Sequence, residues 1–110
     1  MKNVSSPIIG MTMHKIGREV RLNHDYIQSI VQAGGIPFLI PYFLDQKALD
    51  EVAQKIDGLV LTGGEDIDPA YYEEDPHPKL ERIAPERDEL ELNLLKRVIK
   101  QRKPILAICR

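Results

Sequence analysis

The chain has a single cysteine and no tryptophan, and only 5% of its 110 residues are aromatic. One thiol cannot close an internal disulfide, so a disulfide-stapled secreted scaffold is excluded. An excess of charge of one sign is also lacking. With a formal net charge of -2, no basic field exists to draw in a phosphate backbone, and a nucleic-acid partner is not expected. No apolar run reaches membrane-spanning length, and no basic, apolar and small-residue succession marks a signal peptide. A cytoplasmic protein without a membrane partner is therefore the expectation. Internal repeats, low-complexity tracts and linkers are absent as well, and one domain is the ceiling for this length.

What the chain does have is an ordinary apolar share of 43%, arranged so that short unbroken apolar runs alternate with amphipathic stretches. That alternation predicts an α/β fold, a three-layer, doubly wound, mostly parallel sheet of flavodoxin-like type. Strands are expected at 7–13, 36–40, 58–62 and 105–108, each hydrophobic enough to be buried on both faces. The first helix is bracketed by Asn23 as N-cap and Gly34 as stop, with Tyr26, Ile27, Ile30 and Val31 as its apolar stripe. A second helix is expected from about Asp45 to Lys55, carrying Leu49, Val52 and Ala53. A third begins near Pro85 with acidic residues early and basic residues late, and it turns Leu90, Leu94, Leu95, Val98 and Ile99 toward the sheet. Between them, 63–84 shows no period and carries Pro69, Pro76 and Pro78. So long an irregular loop, leaving the carboxyl end of a strand, is expected to wall an active site.

The chemistry concentrates at the last strand, where Pro104-Ile105-Leu106-Ala107-Ile108 delivers the lone Cys109 to a carboxyl end. A nucleophile on a sharp strand-to-helix turn is held out of the sheet, and a following helix N-terminus favours the thiolate. The same turn aims the backbone N–H of Arg110 at the oxygen that becomes negative when a carbonyl is attacked. A second oxyanion donor is expected from Gly64, in the Leu61-Thr62-Gly63-Gly64 segment after the third strand. Gly63, Glu65, Arg87 and Asp88 are candidates for contacting the substrate or anchoring the loop.

Each piece also has a plainer reading. A lone cysteine after an apolar strand is more often a small buried hydrophobe, and a Gly-Gly pair is more often only a turn. Glu65, Asp66 and Asp68 lack partners from other strands, so they read as solvated loop charges and no metal or cofactor is expected. His14, His24 and His77 read as surface or structural residues, with His14 nearest the right edge of the sheet as a substrate contact.

Taken together, Leu59 to Pro69, Pro85-Glu86-Arg87-Asp88 with Glu91, and Ala107-Ile108-Cys109-Arg110 resemble the γ-glutamyl-γ-aminobutyrate hydrolase family, a branch of the class I glutamine amidotransferase-like proteins. The segments Pro7 to Thr12 and Ala33 to Pro37 resemble it too. The resemblance implies a Cys-His-Glu triad that cleaves a γ-glutamyl amide through a γ-glutamyl thioester, with Cys109 as nucleophile and Gly64 and Arg110 forming the oxyanion hole. Family members draw the His and Glu from beyond the nucleophile. Residues 1–110 accordingly read as the N-terminal portion of one such domain, inactive by itself, whose ligand is a small γ-glutamyl amide and whose self-association is left open. The Gly that family members usually carry two residues before the nucleophile is Ala107 here. Two alternatives remain at this stage: a glutaminase domain passing ammonia to a synthase partner, and a non-catalytic flavodoxin-like binding module.

Overall fold

A computed structural model describes residues 5–63 and 85–108. Four parallel strands form the main sheet in the order β4-β1-β5-β6: β1 (Ile8–Thr12), β4 (Ile36–Ile40), β5 (Gly58–Leu61) and β6 (Ile105–Ala107). The helices are α1 (His24–Gln32), α2 (Gln46–Lys55) and α3 (Pro85–Lys100). A short antiparallel ribbon, β2 (His14–Ile16) with β3 (Glu19–Arg21), rises directly after β1. The expected parallel α/β architecture is thus observed, and the ribbon is an addition to it.

The helix ends follow local chemistry. Asn23 caps α1 by accepting the N–H of Asp25 at 2.8 Å. At the other end Gly34 takes a left-handed φ of 94°, its N–H reaches Val31 O at 3.0 Å, and the N–H of Gly35 reaches Ile30 O at 2.9 Å. This is the glycine-terminated arrangement that satisfies the last carbonyls of a helix. Asp45 caps α2 through the N–H of Ala48 at 2.8 Å. Lys103 donates to the Ala53 and Gln54 carbonyls at 2.5 and 3.1 Å, so a cation meets the negative end of α2.

Packing sets the layers. One face of the sheet joins α2 and α3 in a core of Ile40, Leu49, Ala53, Ile56, Leu59, Leu90, Leu94 and Val98. The opposite face meets α1 through Ile9, Gly35 and Ile30. Two expected core contributions are corrected here. Ile99 is 58% exposed on the outer side of α3, and Val31 is 55% exposed on α1, because each sits about a quarter turn off the stripe that its helix buries. The strands also end one residue early, at Leu61 and Ala107. Beyond α1, a groove lined by Met11, Tyr26, Ile30, Val60, Leu106 and Ile108 lies open on the sheet face, and Leu106 is 58% exposed.

Candidate active site

The connections run from β1 outward to β4, then back across β1 to β5. The chain therefore reverses its direction of winding between β1 and β5, and the carboxyl ends of these strands bound the crevice where open α/β sheets hold ligands. Thr12 ends β1, and Thr62 directly follows β5. The N–H of Thr62 donates to Thr12 Oγ1 at 3.0 Å, and Thr62 Oγ1 donates to the Thr12 carbonyl at 2.9 Å. Both threonines are buried, so these bonds tie the two strand ends together in a site with little competing water.

The next peptide unit is held from two sides. The Gly63 N–H donates to the Tyr26 hydroxyl at 3.1 Å, from α1. The Thr62 carbonyl accepts from Nη2 of Arg87, which also donates to Thr62 Oγ1 at 3.2 Å, from the first turn of α3. Arg87 is 3% exposed. Its Nε donates to Glu91 Oε2 at 2.9 Å, one helical turn on. Nη1 of Arg87 is buried with no partner among the described residues. Arg87 thus forms an ion pair with Glu91 at i+4, and Asp88 lies on the exposed side of the same turn.

β6 brings the chain leading to Cys109 beside the end of β5. Leu61 is opposite Ala107 in the parallel register, and the N–H of Ile108 donates to the Leu61 carbonyl at 2.9 Å. Gly63 and Arg87 thus come together around one peptide. Gly64, Glu65, Cys109 and Arg110 lie outside the described residues, as do Asp66, Asp68 and His77.

The ribbon and the end of β4 border the same edge of the sheet. Lys15 in β2 pairs with Glu86 at 3.2 Å and lies 5.5 Å from the ring centroid of Phe43. Phe43 follows β4 with a left-handed φ of 65°. Tyr42 donates its hydroxyl to the Met13 carbonyl at 2.8 Å, fastening the chain after β4 to the chain after β1. His14 begins β2 with Nδ1 buried and unpartnered among the described residues, and His24 lies exposed in the first turn of α1. No group of three His, Cys, Asp or Glu side chains suited to a metal ion, and no helix long and apolar enough to cross a membrane, occurs among the described residues.

Three residues of this arrangement escape a reading of the sequence: Thr12, Thr62 and Tyr26. Tyr26 looks like part of an apolar stripe, although a buried tyrosine hydroxyl ordinarily finds a partner and so gives a weak signal. The threonines carry no such mark, because their pairing depends on two strands 50 positions apart in sequence.

A parallel sheet with helices on both faces and a winding reversal beside β1 define a flavodoxin-like fold of the class I glutamine amidotransferase-like type. The peptidase C26 family model matches residues 7–110, and the chain belongs to that family. It is 35% identical over 113 residues to Protein NtpR of Enterococcus hirae, covering 94% of this chain and 47% of that protein. It is 33% identical over 118 residues to the gamma-glutamyl-gamma-aminobutyrate hydrolase of Escherichia coli O157:H7, covering 100% of this chain and 45% of the other. The corresponding hydrolase PuuD of Escherichia coli K12 is 31% identical over 118 residues, with the same coverage of 100% and 45%. The chain spans less than half the length of these relatives.

Proposed function

We propose that the whole protein of which these residues form part is a hydrolase that cleaves γ-glutamyl amides through Cys109. The observation that carries this reading is the hydrogen bond from Ile108 N–H to Leu61 O at 2.9 Å. It supports a cysteine leaving β6 within reach of the turn that leaves β5, at the edge where this fold holds ligands. The names of the hydrolase relatives add the substrate class.

In this reading the Cys109 thiolate attacks the amide carbonyl carbon, and the oxygen takes up the negative charge facing the backbone N–H groups of Gly64 and Arg110. Because the Gly63 N–H is engaged by Tyr26, the donor in the turn falls to the next residue, Gly64. The tetrahedral species collapses, the C–N bond breaks, and the amine leaves with a proton delivered by the general acid. Water then adds to the γ-glutamyl thioester, the C–S bond breaks, and glutamate and the free thiol are released. In this reading the acid-base histidine and its carboxylate partner belong outside residues 1–110, as the resemblance to the family implies.

The test uses the full-length protein with no other protein added. Hydrolysis of a γ-glutamyl amide, together with substrate protection of Cys109 against iodoacetamide, is the expected result. Glutamine hydrolysis that appears only when a synthase is supplied would instead favour a partner-dependent glutaminase. An inert thiol with no turnover would remove the enzyme reading.

A further inference from the structure

We infer that the hydroxyl of Tyr26 is a hydrogen-bond donor to an anionic oxygen of the substrate, an inference that rests on the hydrolase reading above. A phenol hydroxyl can both accept and donate. The oxygen of Tyr26 accepts the Gly63 N–H at 3.1 Å, which uses only its accepting side. Its own hydrogen has no acceptor among the described residues. A tyrosine O–H that leaves water ordinarily finds a partner, and Tyr26 is partly buried. The unspent donor therefore calls for an acceptor brought by a ligand.

Its surroundings place that donor beside the chain that carries the nucleophile. Tyr26 lines the open groove on the sheet face together with Ile108. Ile108 is fixed there by its N–H bond to Leu61 O at 2.9 Å, and consecutive Cα atoms are only about 3.8 Å apart. The next residue in the chain is Cys109. The groove is otherwise mostly apolar. Its other polar side chains are Asp25, an acceptor, and Ser29, whose hydroxyl already donates to the Asp25 carbonyl at 2.8 Å. Tyr26 is thus the side-chain donor of this groove left uncommitted among the described residues. An O–H donated to a charged oxygen makes a stronger bond than one donated to a neutral oxygen, and a hydroxyl that already accepts one bond donates the next more strongly. A γ-glutamyl amide offers two such oxygens: the one that becomes negative when its carbonyl is attacked, and those of its α-carboxylate.

The experiment measures kcat and KM in the full-length protein for a γ-glutamyl amide and for its α-carboxamide analogue, with Tyr26 replaced in three ways. Melting temperature and amide exchange at Gly63 report on folding. Tyr26→Phe removes both the accepting oxygen and the donated hydrogen. Replacement by 4-methoxyphenylalanine keeps the oxygen for Gly63 and removes only the hydrogen. Replacement by 4-aminophenylalanine returns a donor on a nitrogen that accepts poorly. The first two are expected to lower kcat/KM by about 10- to 100-fold, with Gly63 still protected in the methoxy variant, and the third to recover part of that loss. A loss in kcat with both substrates assigns the bond to the oxygen of the attacked carbonyl. A loss in KM that shrinks with the α-carboxamide analogue assigns it to the α-carboxylate. A folded methoxy variant with wild-type kinetics would overturn the inference alone. Should that variant fail to fold, an amino variant as impaired as Tyr26→Phe would do the same. A wild-type protein that cleaves no γ-glutamyl amide would overturn the hydrolase reading and this inference with it.

Discussion

The hydroxyl of Tyr26 accepts the N–H of Gly63 at 3.1 Å, joining the first helix of the chain to a turn 37 positions later. The bond occupies the Gly63 N–H and ties the end of β5 to α1.

Removing that hydroxyl leaves the Gly63 N–H buried and unpaired. Tyr26→Phe is expected to cost about 1 to 3 kcal/mol of local stability. Amide exchange at Gly63 should accelerate by a larger factor than at Ile40 or Leu94, which lie in the core. Equal acceleration throughout would mean that the bond supports the whole fold and not the turn.

The buried stripe of α3 gives a paired prediction. Leu94 is 0% exposed, so Leu94→Ala should destabilise the protein by about 2 to 5 kcal/mol in urea unfolding. Ile99, on the outer side of the same helix, should tolerate alanine within about 0.5 kcal/mol. A comparable loss at both positions would contradict the assigned face.

The ends of α1 should be separable in the same assay. Asn23→Ala removes the side chain that accepts the Asp25 N–H and should cost about 1 kcal/mol. Gly34→Ala forces a β-carbon onto a residue at φ 94° and should cost about 1 to 2 kcal/mol. A β-carbon there would meet no atom within 4 Å, so any destabilisation reads backbone strain and not a clash.

The order of strands and helices was legible because each strand is a short apolar run and each helix carries its own punctuation, as at Asn23, Gly34 and Asp45. Apolar period alone did not fix which outer positions stay wet. Val31 and Ile99 are hydrophobic yet exposed, because propensity and hydrophobicity say little about where a helix meets its neighbour. The ribbon at 14–21 was missed for the opposite reason. Its residues are mostly charged or exposed, so no alternation announces the strands on either side of Gly17. At the site, Gly63 and Arg87 could be named from local sequence. The joint hold of Tyr26 and Arg87 on the Thr62–Gly63 peptide could not, since it depends on α1, β1, β5 and α3 arriving at the same strand edge. Helical geometry gives Arg87 its counter-charge by bringing Glu91 at i+4 onto the same face.

The central claim is that Cys109 becomes covalently acylated during turnover, and intact-protein mass spectrometry tests it directly. Full-length protein is mixed with a γ-glutamyl amide, quenched in acid within a single turnover, and digested to locate any adduct. The account predicts a γ-glutamyl group on the peptide containing Cys109, absent after Cys109→Ala, with hydrolysis lost in that variant. Steady hydrolysis by Cys109→Ala, or turnover by the wild type without any acyl adduct on that peptide, would contradict it.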